Sequence, residues 1–233
     1  MSNRSKHARP DVLVVPEDSV VNLYSQSRFY SGQDVVEGVL DAIESRGRFA
    51  PRDWAESTER VKQIVAYGLI RNGRKVLCLR RARTSNRKAL RLRYTVLVGG
   101  HVDSVELNDA NPVAACLVRE LDEELGLVPT GPITVLGVVV DVSTRVGRLH
   151  LGLIYDVPID SDSLVVSPHM DNGEFANAAK KIRYPLRDYR HLARLSRRFD
   201  PWSSLTLSSP SVKRLFGTDL PFEYQQGLPF FDR

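Results

Sequence analysis

With only two cysteines, Cys78 and Cys116, in 233 residues, the chain has neither a disulfide framework nor a spacing suited to a thiolate metal site. Both cysteines read as small buried apolar residues, Cys78 in a strand and Cys116 in a helix, which fits a reducing compartment. There is no run of about 18 apolar residues to cross a bilayer. Met1 to Arg9 is polar and basic, with no apolar stretch behind it long enough for a secretory leader. These absences predict a cytoplasmic protein with no membrane contact. No internal repeat or low-complexity tract appears. Acid is missing altogether from Arg74 to Arg93, a stretch that holds nine bases, although the formal charge of the whole chain is only +5.

What is present is enough for a core. Hydrophobic residues make up 42% of the chain, and its length allows one large domain or a domain with appendages. Residues 1 to 12 read as disordered, and Gln33 to Glu44 as a helix from the spacing of Val35, Val36, Val39, Leu40 and Ile43. Arg46 to Glu56 reads as a loop passing into a short helical or irregular segment. Strands are expected over Lys62–Arg71 and Arg74–Arg81, joined at Asn72-Gly73, and over Tyr94–Val98. Ile133–Val142 and Leu149–Val157 read as an antiparallel pair with a turn near Arg145 to Gly147. Leu186 to Arg197 has helical spacing after Pro185. The last thirty-odd residues are rich in Pro and Ser.

The most informative stretch lies between Gly99 and Leu127. Asn111 followed by Pro112 marks a helix start, and Gly126 its stop. Within that helix Glu120, Glu123 and Glu124 fall at i, i+3 and i+4, on one stripe within about 60° either side of its centre. Ala114, Leu117, Val118, Leu121 and Leu125 occupy another stripe, which would be the face packed on a core. Like charges at this spacing repel, and the end of a helix disfavours anions. A hard divalent cation, Mg²⁺ or Mn²⁺, would offset that cost and suit a phosphate substrate. An exposed acidic helix face is the simpler alternative. The β-branched strand and Gly99-Gly100 turn ahead of the helix favour a ligand site, because glycines let backbone carbonyls face a ligand.

Gly100, Glu106 and the run Arg119-Glu120-Leu121-Asp122-Glu123-Glu124-Leu125-Gly126-Leu127 resemble the Nudix box, the loop-helix-loop signature of Nudix hydrolases. One departure is visible: twelve residues, Leu107 to Val118, separate Glu106 from Arg119, five more than in the family pattern. The insertion falls in Leu107 to Asn111, where a longer loop costs little. The resemblance implies an α/β/α sandwich with a mixed β-sheet, here carrying an N-terminal extension over residues 1–60. The family-like region would run from about Lys62 to Arg198, followed by a tail from 201 to 233.

The same resemblance implies roles. Glu123 and Glu124 match the principal metal-binding glutamates, and the Gly99 carbonyl matches a backbone ligand. Glu120 matches a position that binds metal or orients the attacking water. Arg119 matches the arginine that braces the glutamates, with Glu106 its usual partner. A general base is often drawn from a later loop, and Glu174 is the candidate. The implied reaction is metal-dependent hydrolysis of a phosphoanhydride in a nucleotide derivative by water attack on phosphorus. Arg80, Arg81 and Arg93 are the expected phosphate contacts from the basic block.

Two other readings stand beside this one. The basic block could serve a catalytically silent module that binds a nucleotide or nucleic acid. The phrase Gly-Gly-His-Val is common in isopentenyl-diphosphate isomerases, whose chemistry needs a well-placed catalytic cysteine. The partner expected is a small phosphorylated molecule, and the extension could cover a sheet edge or help form a homodimer.

Overall fold

The computed structural model describes residues 9–81, 90–129, 131–166 and 182–222. In chain order the strands are β1 Val12–Pro16, β2 Arg28–Tyr30, β3 Arg48–Ala50, β4 Val61–Asn72, β5 Lys75–Val76, β6 Leu79–Arg80, β7 Tyr94–Thr95, β8 Leu97–His101, β9 Thr134–Val140, β10 His150–Pro158, β11 Ser163–Val166, β12 Ile182–Pro185 and β13 Arg187–Asp188. The helices are α1 Gln33–Arg46, α2 Arg52–Ser57, α3 Pro112–Leu125, α4 Arg145–Leu149, α5 Tyr189–Arg194, α6 Pro201–Ser208 and α7 Pro210–Leu215.

Strand β4 organises the rest. Residues Val61 to Ile70 are all buried, the pattern of a strand covered on both faces. It pairs parallel to β10 from Gln63 to Arg71 and antiparallel to β1, β8 and β5 in turn along its other edge. β9 and β2 continue the sheet beyond β10. Successive side chains of β4 point to opposite faces. Ile64, Ala66 and Ile70 join one core with α1 and α3, whereas Val65, Tyr67 and Leu69 join another with α5, α6 and α7. The result is the α/β/α sandwich with a mixed sheet that the sequence implies.

Several local expectations shift. The two-residue hairpin turn is Gly73-Arg74 rather than Asn72-Gly73, because Asn72 still pairs with Lys75 and Gly73 takes the positive φ of 53°. The second strand of that hairpin divides into β5 and β6, with Leu77 and Cys78 between them. Val12 is fully buried in β1 and not disordered, since β1 inserts between β3 and β4; the expectation for residues 1–8 lies outside the described residues. The loop expected near Arg46 contains β3. The turn between β9 and β10 is α4, capped by Thr144. The helix expected over Leu186–Arg197 starts only at Tyr189, after the short strand β13. The Pro- and Ser-rich stretch after residue 200 forms α6 and α7, with Pro201 and Pro210 in their first turns.

Helix α3 has the predicted ends. The Asn111 side chain accepts from the Ala114 amide at 3.0 Å, and Gly126 adopts a left-handed conformation, φ 63°. Its buried residues are Val113, Cys116, Leu117, Leu121 and Leu125, while Val118 is exposed. Leu117 and Leu121 pack over Gly68 of β4, where a Cβ would lie 3.3 and 3.5 Å from their methyl carbons. Leu117→Ala should therefore lower unfolding stability by about 2–5 kcal/mol, whereas Val118→Ala should stay within about 0.5 kcal/mol of wild type. Urea denaturation of the two variants checks the pair, and equal losses would contradict this orientation of α3.

Candidate active site

The helix and the strand before it meet at Gly100. β8 carries both Gly99 and Gly100 inside the sheet, paired with Tyr67 and Ala66, so the expected turn is a strand. Gly99 takes φ 143°, and a Cβ there would sit 2.1 Å from the Ala66 carbonyl oxygen. At Gly100 a Cβ would lie 2.7 Å from the carboxylate of Glu120. Glycine is needed in the first position for backbone conformation and in the second because an acid packs directly on the strand.

That contact corrects the helical wheel. The acids and apolar residues are not sorted onto separate stripes, because Glu120 and Glu124 fall within the arc bounded by buried Cys116 and Leu125. Glu120 is largely buried and Glu124 half-buried, while Glu123 is 53% exposed. Burial raises the Glu120 carboxyl above the ordinary glutamate range, against the opposing pull of Arg119.

Arg119 gathers the acids. Its Nε donates to Glu106 Oε1 at 2.5 Å, and its Nη1 to Glu120 Oε1 at 2.8 Å and Glu123 Oε2 at 3.0 Å. Nη2 reaches the His101 carbonyl at 3.5 Å. Burial works against the charge on Arg119, but the hydrogen bond to Glu106 and the charges of Glu120 and Glu106 outweigh it and raise the guanidinium pKa. Glu106 is only 3% exposed. Its other oxygen accepts the Asp103 backbone N–H at 2.8 Å, closing a short 3₁₀ turn. The enlarged loop after Glu106 is exposed, and Glu106 reaches Arg119 in spite of it.

The donor set suits a hard divalent cation. The carboxylate of Glu120 stands against Gly100, Glu123 and Glu124 follow it on the same helix, and one oxygen of Asp103, Oδ1, is buried with no hydrogen-bond partner. Among the described residues no three acidic, His or Cys side chains converge on one point; Glu120 and Glu123 turn toward Arg119 instead.

On the opposite face of the sheet from α3 lies a cavity of about 480 Å³. Val65, Tyr67 and Leu97 form its floor, with Trp202 edge-on to Tyr67 at 5.8 Å between ring centres. Gly152 makes room for the indole, since a Cβ there would lie 2.6 Å from it. His101 and His150 also line the cavity and share an Nε2···Nε2 hydrogen bond of 3.0 Å. Because the Val146 carbonyl can only accept, His150 Nδ1 carries the proton at that 2.6 Å contact. When both rings are neutral, His101 Nε2–H then donates to His150.

Of the expected phosphate contacts, only Arg81 borders this cavity, where it is buried. Arg80 is exposed, with its guanidinium 5.9 Å from the Tyr94 ring centre. Arg93 donates to the Arg197 carbonyl at 3.1 Å. Lys75 pairs with Asp162 at 2.5 Å. The described members of the basic block therefore do not form one binding face. Glu174 lies outside the described residues. Sequence reasoning passed over Arg52, Arg145, His150 and Trp202 as cavity residues. Trp202, one of only two tryptophans and set just inside a helix start, was the one with a visible signal.

Neither cysteine is set up as a nucleophile. Burial raises the Cys116 thiol well above its ordinary value, and its Sγ contacts the His101 carbonyl at 3.1 Å. Burial pushes Cys78 up to about 12. In the folded protein at pH 8 a disulfide-exchange reagent should modify both thiols at least roughly tenfold more slowly than in urea. Fast stoichiometric labelling of either thiol in the native state would contradict this.

Comparison with known proteins bears on the family and the fold. The chain is 28% identical over 149 residues to protein YmaB of Bacillus subtilis (strain 168), covering 61% of this chain and 72% of that protein. Its fold superposes on Tm1382, a crystal structure assigned to the Nudix hydrolases, with TM-score 0.62 and 23% identity over 88% of this chain and 98% of that one. A MutT NUDIX hydrolase from Burkholderia pseudomallei is more distant, with TM-score 0.41 and 19% identity over 55% of this chain and 84% of that one. The NUDIX domain pattern itself matches residues 61–202, which hold β4, β8, Glu106 and the whole of α3, and the chain belongs to the Nudix family.

Proposed function

We propose that the protein hydrolyses a phosphoanhydride bond in a nucleoside diphosphate linked to another group, using Mg²⁺ or Mn²⁺ and water attack on phosphorus. The observation that best supports this is the single guanidinium of Arg119 holding Glu106, Glu120 and Glu123 beside the glycines of β8. In this reading Glu123, Glu124 and the Gly99 carbonyl hold the cation, and Glu120 is a further ligand or orients the water. When bound, the cation supplies positive charge to the phosphate oxygens and acidity to a coordinated water. Arg119 keeps mutually repelling carboxylates together, and buried Glu106 anchors Arg119 from behind. Glu174 is the proposed general base on sequence grounds, and Arg81 the proposed phosphate contact from the basic block.

The hydrolase reading is favoured over an isomerase because neither thiol is available as a thiolate. It is favoured over a silent binding module because the box keeps every acid that the chemistry uses. Among the described residues no helix is long and apolar enough to cross a membrane.

Nucleoside triphosphates, ADP-sugars and dinucleotides incubated with Mg²⁺ or Mn²⁺ test the activity directly. Wild type should release phosphate, pyrophosphate or a nucleoside monophosphate, and Glu123→Gln or Glu124→Gln should each lower kcat by roughly a hundredfold or more. A double variant as fast as wild type would remove the metal assignment.

The raised Glu120 carboxyl gives a second readout. A folded state that holds its proton more tightly than the unfolded chain loses stability as pH rises through the range above about 4.3. In EDTA, Tm of the wild type should fall more than that of Glu120→Gln as pH rises from about 4.3 to 7, and Mg²⁺ at pH 7 should raise the wild-type Tm more than the variant's. Superimposable curves for the two proteins would refute the role given to this carboxylate.

A further inference from the structure

The contact between His101 and His150 crosses over β4. Strands β10 and β8 flank β4 on opposite edges, with His150 in register with Gln63 and His101 in register with Val65. Register partners, and residues two apart on a strand, share a face. The two imidazoles and the Gln63 side chain therefore leave the sheet on the same side, the one opposite α3.

Gln63 is fully buried. Neither its Nε2 nor its Oε1 has a hydrogen-bond partner among the described residues. A buried carboxamide is normally answered by protein, by water or by an ion.

His150 is already oriented as a ligand. Its Nδ1–H donates to the Val146 carbonyl at 2.6 Å, the kind of bond that fixes the ring of a metal-binding histidine. Its other nitrogen, Nε2, then lies 3.0 Å from His101 Nε2. Two metal–nitrogen bonds of about 2.1 Å, set at about 90°, hold their nitrogens about 3.0 Å apart. Both rings border the cavity, which leaves room for water in further coordination positions.

The surrounding charge selects the kind of ion. The two acids that line the cavity are engaged: Glu56 accepts from Arg52 Nε at 3.0 Å, and Asp200 from the Ser203 amide and hydroxyl, each at 2.8 Å. A hard ion such as Mg²⁺ depends on carboxylate oxygens and is poorly served here. Imidazole nitrogens instead suit first-row transition ions, which they bind as neutral donors.

We propose that His101 and His150 bind one divalent transition ion, of the Zn²⁺ or Ni²⁺ kind, through their Nε2 atoms, with the Gln63 carboxamide oxygen as a third donor. The site is distinct from the carboxylates of α3 and independent of the hydrolase reading. The ion replaces the proton between the rings: His101 gives up its Nε2 proton to water and takes one at Nδ1, so the ring stays neutral. Once bound, the ion cross-links β8 to β10 above β4, at the residue whose carbonyl meets Arg119 on the other face.

Calorimetric titration of the full chain with Zn²⁺ tests this, after stripping with EDTA and dialysis into excess Mg²⁺ to supply the acidic centre with a hard ion. Wild type should bind a single equivalent of Zn²⁺ that Mg²⁺ does not displace. His101→Asn and His150→Asn should each weaken that binding by at least about tenfold and Gln63→Leu by a smaller factor, whereas Glu123→Gln should bind as wild type does. Zn²⁺ should also raise the Tm of wild type and not that of either histidine variant. Near-ultraviolet circular dichroism of the metal-free variants establishes that they are folded, and X-ray absorption of the wild-type Zn²⁺ form reads the imidazole ligands without any substitution. No saturable binding in excess Mg²⁺, an all-oxygen shell around the zinc, or binding that survives both histidine changes and fails in Glu123→Gln overturns the proposal.

Discussion

A buried carboxylate has to be answered by a fixed positive charge, and in this protein Arg119 answers for Glu106. Glu106 is almost fully enclosed, so leaving it unpaired would cost several kcal/mol, and removing its partner is expected to be more damaging than removing both. The same guanidinium also reaches Glu120 and Glu123. A planar fork with five donors can serve three carboxylates at once, which an ammonium on a flexible stem does less well. Through that one group the loop after β8, the turn at Glu106 and the middle of α3 share a single geometry. The enlarged loop between Glu106 and the helix can therefore vary in length without moving the acids.

The second constraint is steric. Three glycines mark the places where something large lies flat on the sheet: Gly68 under Leu117 and Leu121, Gly100 under Glu120, and Gly152 under Trp202. The first lets α3 approach closely enough to bury its leucines. The second turns that approach to use by seating an acid on a strand, where loss of water raises its pKa. The third does the corresponding thing on the opposite face, giving the indole a bed beside Tyr67. Packing density and site geometry thus have one cause, the absence of side chains at chosen points on β4 and its neighbours.

Where structure follows from neighbours in sequence, the sequence was legible. The Asn111-Pro112 start, the Gly126 stop, the hairpin after β4 and the Glu-Arg pairing were all visible as residue types at fixed spacing. Gly99-Gly100 misled because such a pair is a local turn signal, whereas pairing with Ala66 and Tyr67 across the sheet decides the matter. The helical wheel misplaced Glu120 and Glu124 for a related reason. It assumes that acids face water, and here a facing glycine allows one to face a strand. Pro201 and Pro210 lie in the stretch read as a Pro- and Ser-rich tail but serve as helix starts, because each sits where no amide hydrogen is needed. The cavity was not legible at all. Arg52, His101, His150 and Trp202 are spread over 151 positions in the chain, and only the sheet brings them together.

Alternation along β8 explains why the acidic centre and the cavity are adjacent yet separate. Consecutive residues of a strand face opposite sides, so one step along the chain, from Gly100 to His101, passes from the acidic centre to the cavity. The acids are fixed by Arg119 and the glycines, within residues 61–202. The cavity wall draws on α2 and α6, one before β4 and one near the end of that span. Substitutions on those two helices can reshape the cavity while Arg119 keeps Glu106, Glu120 and Glu123 in place. The separation of the two environments comes from the two-residue period of a single strand.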